Sequence, residues 1–86
     1  MIHLDKAVIV EGKYDKIRLS SFIDAEIITT DGFGIFKNRE KAELIRKAAN
    51  KRGIIIMTDS DGAGFLIRSH LSGIVPPNKI TNVFIP

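Results

Sequence analysis

The chain has 86 residues, a net charge of +3 and 44% hydrophobic residues, which fits one small globular domain that buries roughly 60–65% of its unfolded surface. It contains no cysteine, so a disulfide framework and a thiolate metal site are both excluded. No apolar run approaches the ~18 residues of a membrane span, and the amino terminus lacks a signal-peptide layout, so we expect a cytoplasmic protein without a membrane partner.

Predicted strands and helices alternate from one end of the chain to the other. The apolar run at residues 54–57 does not alternate with polar residues, as expected of a strand covered on both faces. We predict strands at residues 7–10, 26–30, 54–57 and 83–85, and helices at residues 13–23, 38–51 and 62–73. This order predicts an α/β fold with a four-stranded, mostly parallel sheet flanked by three helices. We expect one domain over residues 1–86, either complete in itself or the amino-terminal part of a longer protein.

Acidic residues follow two of the predicted strands. Glu11 and Gly12 come directly after residues 7–10, while Asp59 and Asp61 follow residues 54–57. The carboxyl ends of strands are where ligands bind in an α/β sheet, and carboxylates gathered there repel one another. One pair at ~4 Å costs roughly 4 kcal/mol at an effective dielectric constant near 20. A divalent cation removes that cost, which predicts a metal site of Glu11, Asp59 and Asp61.

The spacing of the two aspartates fits a magnesium ligand pair. If the backbone stays extended, Asp59 and Asp61 leave the same face, with Ser60 on the opposite one. Mg²⁺ suits the set because it uses one or two carboxylates and keeps several waters, and Mn²⁺ is the alternative ion. A structural role is also open: Asp61 before Gly62 is a good helix N-cap. Glu11 near a helix start would gain a little from the helix dipole.

Further residues are predicted near the same site. Lys13 and Arg68 could meet phosphate oxygens beside the carboxylates, or could pair with a carboxylate instead. Gly12 is expected to let the backbone turn sharply after the first strand. Asp15 lies close by in sequence, and Asp31-Gly32 follows the second strand, where ordinary turn chemistry is the alternative explanation.

Basic residues are concentrated between residues 37 and 52, where seven of them face only two acids. Such a local surplus suits a polyanion such as nucleic acid. The alternative is a solvated helix face. The predicted backbone-binding residues in this segment are Lys37, Lys41, Arg46 and Lys47.

Two segments carry a resemblance to a known family. VIVEGKYDKI at residues 8–17 and IIIMTDSDGAG at residues 54–64, followed by Arg68, resemble the Toprim domain, the catalytic module shared by topoisomerases, bacterial primases and several nucleases. The resemblance extends over residues 6–85 and implies a single Rossmann-like Toprim domain. It also implies that Asp59 and Asp61 bind magnesium, and that Glu11 contributes to metal binding or acts as an acid/base.

Within the family, the chain is similar to the compact catalytic domain of the endoribonucleases that mature 5S ribosomal RNA. This resemblance implies a Mg²⁺-dependent phosphodiester hydrolase with RNA rather than DNA as its partner. A further domain or a ribosomal protein would supply substrate recognition. The alternatives are a non-catalytic nucleic-acid-binding module and a primase- or topoisomerase-type catalytic subdomain. A phosphoacceptor receiver domain is disfavoured because no acidic pair follows the first strand.

Overall fold

The computed structural model describes residues 1–59 and 61–85 and has an α/β architecture. Its helices are α1 (Lys13–Ser20), α2 (Arg39–Arg52) and α3 (Gly62–Ser72), and its strands are β1 (Ile2–His3), β2 (Ala7–Val10), β3 (Ile23–Asp24), β4 (Ile27–Thr29), β5 (Ile54–Asp59) and β6 (Ile80–Ile85). Two 3-10 helices cover Gly32–Lys37 and Pro77–Lys79. Within the described ranges, every helix is too short or too polar to cross a membrane.

The main sheet has the strand order β4-β2-β5-β6, and all of its neighbouring strands are parallel. Each of α1, α2 and α3 connects one strand to the next strand of this sheet in chain order. The prediction of a four-stranded, mostly parallel sheet flanked by three helices is therefore confirmed. Because all four strands run the same way, their carboxyl ends, and the loops that follow them, meet at one edge.

Three local features differ from the prediction. The predicted helix at residues 13–23 ends at Ser20, because Ile23 is buried in β3 and pairs with Ile2 of β1. This second, two-stranded parallel pair was not predicted, since two-residue strands leave no pattern to read. The last strand begins at Ile80 rather than at residue 83.

The core lies on both faces of the sheet. Successive strand residues point to opposite faces, so Ile9 and Ile56 pack with Ile45 of α2 and Ile67 of α3. Val8, Val10 and Ile27 form a smaller cluster on the other face, against which Leu19 of α1 packs. A central strand covered on both sides explains why β2 is apolar at every position.

Arg68 of α3 is a charged residue buried among these strands, with 7% of its surface exposed. Its Nε donates to Thr58 Oγ1 at 2.9 Å, and Nη1 donates to Ile56 O at 3.2 Å and Asn82 Oδ1 at 2.7 Å. Nη2 donates to the carbonyl oxygens of Thr58 and Val83. All five guanidinium N–H groups are therefore used, and they join α3 to β5 and β6.

We predict that Arg68→Lys lowers the free energy of unfolding by about 2–4 kcal/mol, because an ammonium group has only three donors and leaves buried acceptors unpaired. Urea denaturation followed by circular dichroism measures the loss. Arg18→Lys is the matched control, since Arg18 is exposed on α1 and its variant should stay within about 0.5 kcal/mol of the parent. Equal stability of the two variants would contradict the assignment.

Candidate metal centre

Glu11 and Asp59 lie at the carboxyl ends of neighbouring parallel strands. Ile9 of β2 is in register with Ile56 of β5, so Glu11 lies two residues beyond this pair and Asp59 three. Asp61 follows as the N-cap residue of α3, with an extended backbone. The structure thus places all three predicted ligands at the same edge of the sheet. Ser60, which the spacing assigns to the opposite face, lies outside the described residues.

The main chain around Glu11 is held by the segment that follows β4. Thr30 N donates to Val10 O at 2.8 Å, and Gly32 N donates to Glu11 O at 3.0 Å. The Thr30 hydroxyl, fully buried, donates more weakly to Glu11 O at 3.4 Å. These bonds place Gly32 beside the end of β2, near the site as predicted. They also fix the position from which the Glu11 side chain leaves the backbone.

The carboxyl group of Glu11 is electrostatically unsatisfied. Its Oε1 atom is buried and has no hydrogen-bond partner among the described residues. Burial is the largest cause that raises the pKa of Glu11, followed by the charges of Asp61, Asp59 and Asp15, while Arg68 acts in the opposite direction. The ionised Glu11 therefore lacks a compensating donor at a place where two further aspartates add negative potential.

Asp59 and Asp61 differ in their structural roles. Asp61 Oδ1 accepts a hydrogen bond from Gly64 N at 2.7 Å, so its alternative role as the N-cap of α3 is confirmed. The Asp59 side chain is exposed and forms no hydrogen bond or ion pair with another described residue. Capping does not account for Asp59, which leaves its carboxylate available to a ligand.

Gly64 allows α3 to start directly against the end of β5. A Cβ atom at this position would lie 2.4 Å from Asp59 O and 2.9 Å from Thr58 Oγ1, closer than any side chain tolerates. Only glycine lets the first turn of α3 approach so closely. Gly62, the first residue of α3, has open space around it and is exposed. The close approach at Gly64 therefore holds the start of α3, which Asp61 caps, against the end of β5.

Asp15 and Gly12 form the beginning of α1. Asp15 Oδ2 accepts a hydrogen bond from Gly12 N at 3.2 Å, so Asp15 caps the helix while its charge still acts on Glu11. The sharp turn predicted at Gly12 is wrong, because its φ of −142° and ψ of 173° are an extended conformation open to any residue. Lys13 is exposed and has no side-chain partner among the described residues.

The phosphate contact predicted for Arg68 is corrected by the structure. Since its five donors all bind β5 and β6 groups, no donor remains for a substrate oxygen. The guanidinium carbon also lies 3.9 Å from the centroid of the Phe84 ring, which covers it. Burial lowers the pKa of Arg68, and the charge of Glu11 opposes that shift. Arg68 therefore supports the Asp59 strand end and offsets part of the Glu11 charge.

Asp31 is occupied by a local ion pair. Lys41 Nζ lies 2.6 Å from Asp31 Oδ2, and the Thr29 hydroxyl donates to Asp31 Oδ1 at 2.9 Å. The hydrogen bond from Lys41 is the largest cause that lowers the pKa of Asp31, and the one from Thr29 comes next. Asp31 has a positive φ of 56°, as an aspartate tolerates in a turn. Asp31 therefore has the turn conformation that the sequence offered as the alternative to a role in the site.

The predicted basic residues divide into engaged and open groups. Lys41 binds Asp31, and Arg46 pairs with Glu43 while its Nε donates to Ile74 O. Lys37 and Lys47 are exposed and make no ion pair with another residue of the described ranges. Fewer basic side chains of this segment are therefore available to bind a polyanion than the sequence alone indicates.

The residues at this edge fit a divalent cation that is held partly through water. Within residues 1–59 and 61–85, no group of three or more His, Cys, Asp or Glu side chains is arranged as a metal site. Mg²⁺ needs only one or two direct carboxylates, because it keeps several waters. The unpartnered Oε1 of Glu11 and the raised pKa of this residue are the features that such a cation would relieve.

Sequence reasoning missed two buried threonines that support the site. Thr30 holds Glu11 O, and the Thr58 hydroxyl accepts a hydrogen bond from Arg68. Both threonines are almost fully buried and directly precede an aspartate. The sequence signal for these positions is a threonine that follows an apolar strand and directly precedes an aspartate.

Comparison with known proteins identifies the family. Residues 5–84 match the family model of the Toprim domain. The chain is 38% identical over 85 residues to Ribonuclease M5 of Mycoplasma mycoides subsp. mycoides, an alignment that covers 99% of this chain and 48% of that protein. It is 35% identical over 86 residues to Ribonuclease M5 of Borreliella burgdorferi, with 99% and 46% covered.

A third relative, Ribonuclease M5 of Clostridium acetobutylicum, is 39% identical over 69 residues, which is 80% of this chain and 36% of that protein. The chain therefore spans less than half the length of these curated relatives. The match to the Toprim model covers almost all of its residues, and the sheet order and helix count agree with the fold that the resemblance implies. The chain belongs to the Toprim family.

Proposed function

We propose that the chain is the catalytic module of a Mg²⁺-dependent endoribonuclease of the ribonuclease M5 type, acting on 5S ribosomal RNA precursors. The observation that carries the proposal is the buried, unpartnered Oε1 of Glu11 beside the charges of Asp59 and Asp61. The names of these relatives support a nuclease, and the position of the carboxylates at the carboxyl edge of the sheet supports a metal-assisted one. Mn²⁺ is the alternative ion.

In this proposal Glu11, Asp59 and Asp61 hold the ion. When bound, the ion lowers the pKa of the attacking water and neutralises charge on the leaving oxygen. The alternative role for Glu11 is that of an acid/base instead of a metal ligand. In that role its pKa, raised by burial and by its acidic neighbours, would suit it to hold a proton and to transfer it to the leaving oxygen. Asp61 remains the cap of α3, which fixes its position relative to the first turn of that helix.

Substrate binding would be mainly electrostatic. Lys13, Lys37 and Lys47 are the predicted phosphate-binding residues whose side chains are exposed and unpaired among the described residues. Contacts of this kind give a salt-sensitive affinity with little sequence choice. Because the chain covers less than half of its curated relatives, recognition of a particular RNA would need a further domain or a ribosomal protein.

A non-catalytic nucleic-acid-binding module is the second candidate. The observation that favours it is that, in the part of the chain that the structure describes, the carboxylates do not form a ready three-ligand group. Both candidates require the exposed lysines for binding. Only the enzyme requires the aspartates at the end of β5 and the start of α3 for turnover.

We predict that Asp59→Asn reduces Mg²⁺-dependent cleavage of RNA by roughly two orders of magnitude or more, since a metal ligand is lost. The fold should be unchanged, because the Asp59 side chain is exposed and forms no hydrogen bond or ion pair with another described residue. Cleavage of end-labelled precursor RNA and the urea midpoint are the two measurements. Asp5→Asn is the matched control at the other edge of the sheet and should cleave normally. Undiminished cleavage by Asp59→Asn would refute the proposal that the chain is a Mg²⁺-dependent nuclease with Asp59 as a metal ligand.

We predict a pH- and metal-dependent stability difference for Glu11→Gln. Since the pKa of Glu11 is raised above its ordinary value of 4.5, Glu11 stabilises the fold below that pH, and this contribution is lost as the pH rises through the raised pKa. At neutral pH and without metal, Glu11→Gln should therefore have a higher urea midpoint than the parent. The gap should shrink below pH 4.5 and also on addition of Mg²⁺, which stabilises only the parent.

Glu26→Gln, on an exposed side chain, controls for the loss of one charge. If the parent is more stable than Glu11→Gln in metal-free neutral buffer, the folded protein does not destabilise the ionised carboxylate of Glu11, which contradicts the prediction. A gap that Mg²⁺ leaves unchanged would show that the ion does not bind there.

A further inference from the structure

Lys41 ties the first turn of α2 to the loop that follows β4. Its Nζ lies 2.6 Å from Asp31 Oδ2 and donates to Thr29 Oγ1 at 3.3 Å. The Thr29 hydroxyl in turn donates to Asp31 Oδ1 at 2.9 Å, so the three side chains form a closed set of bonds. This set lies at the end of β4, where Thr29 is in register with Val10 of β2.

The position of Lys41 would be unfavourable without this pairing. It is the third residue of α2, and a cation in the first turn is repelled by the positive end of the helix dipole. Only 20% of its side chain is exposed, although lysine is normally a solvated residue. Its backbone N–H donates to Asn38 Oδ1 at 2.9 Å, so the side chain starts from a fixed place. The carboxylate of Asp31 supplies the negative charge that compensates Lys41 there.

The same pairing holds a turn that is unfavourable for Asp31. Asp31 and Gly32 have φ angles of 56° and 61°, so two consecutive residues lie in the left-handed region. Glycine adopts this conformation readily, whereas a residue with a Cβ atom does so at a cost. Both oxygens of the Asp31 carboxylate are bonded, one to Thr29 and the other to Lys41. These bonds fix the Asp31 side chain and so stabilise the turn.

The turn carries the main backbone contact to Glu11. Gly32, which directly follows Asp31, donates its N–H to Glu11 O at 3.0 Å, whereas the hydroxyl of Thr30 reaches the same oxygen only at 3.4 Å. The Thr30 N–H donates to Val10 O at 2.8 Å and continues the pairing of β4 with β2. The bond from Thr30 N therefore belongs to the sheet, but the bond from Gly32 N depends on the conformation of Asp31.

We propose that Lys41 is a positioning residue of the carboxylate edge, which fixes the main chain of Glu11 through Asp31 and Gly32. In this role Lys41 contacts neither the ion nor the substrate, and it serves the site instead of binding a phosphate directly. Its effect on Mg²⁺ binding rests on the proposed function. Its hold on the Gly32 N–H does not, and can be measured without metal.

The first arm of the test measures amide hydrogen exchange of the full chain in metal-free buffer. Lys41→Met removes the ion pair and keeps the aliphatic stem, so the Gly32 N–H should exchange about tenfold faster. The Thr30 N–H should keep its parental rate, which distinguishes a local opening from a general loss of stability. Lys41→Arg should restore the Gly32 rate, and Lys51→Met, at the exposed other end of α2, is the matched control. A parental Gly32 rate in Lys41→Met would overturn the proposal.

The second arm measures the Mg²⁺ affinity of the same variants from amide chemical shifts. Lys41→Met should weaken Mg²⁺ binding about tenfold, as is usual when a residue that orients a metal ligand is lost. A purely electrostatic effect has the opposite sign, because removing a cation and freeing the Asp31 carboxylate both favour Mg²⁺. Where the parent binds the ion, unchanged or tighter binding by Lys41→Met would overturn the proposal. Equal weakening by Lys51→Met would do the same.

Mg²⁺ binding and RNA cleavage by the parent chain are measured separately, which distinguishes the two proposals. A parent that neither binds Mg²⁺ saturably nor cleaves RNA would refute the metal-dependent enzyme, while faster Gly32 exchange in Lys41→Met would still support the hold on the Glu11 main chain. A parent that binds Mg²⁺ and cleaves RNA, together with parental exchange and affinity in Lys41→Met, would refute the positioning role alone.

Discussion

The repulsion among Glu11, Asp59 and Asp61 is the constraint around which this edge of the sheet is arranged. Parallel strands bring their carboxyl ends together, and β2 and β5 are neighbours, so the charges of Asp59 and Asp61 act on Glu11. Glu11 bears the largest cost, since Oε1 is buried without a partner and its pKa is raised. The fold thus maintains a local electrostatic imbalance that a cation would remove.

That imbalance persists because the surrounding backbone is firmly held. Bonds from Thr30 and Gly32 fix the main chain of Glu11, and the contact of Gly64 with Asp59 O fixes the start of α3. Arg68 joins α3 to the two last strands through all five of its donors. Its charge also partly offsets that of Glu11. The same side chain therefore stabilises the fold and moderates the site.

The sequence was sufficient for the main architecture and for the position of the acidic edge. Apolar runs and helical spacing predicted every strand of the main sheet, because packing on both faces demands such patterns. The β1–β3 pair left no pattern, since each of its strands has two residues. Arg68 could not be assigned, because a buried arginine and a phosphate-binding one look alike until the acceptors around them are known. For the same reason, the pairing of Lys41 with Asp31 depended on the fold.

Amide chemical shifts during a magnesium titration test the shared cation site most directly. A cation shared by these carboxylates should cause saturable changes clustered at Gly12, Asp61 and Gly62, and these changes should be lost when Glu11 is replaced by Gln. Changes spread over exposed acids such as Glu40 and Glu43, or a cluster that persists without the Glu11 carboxylate, would contradict it.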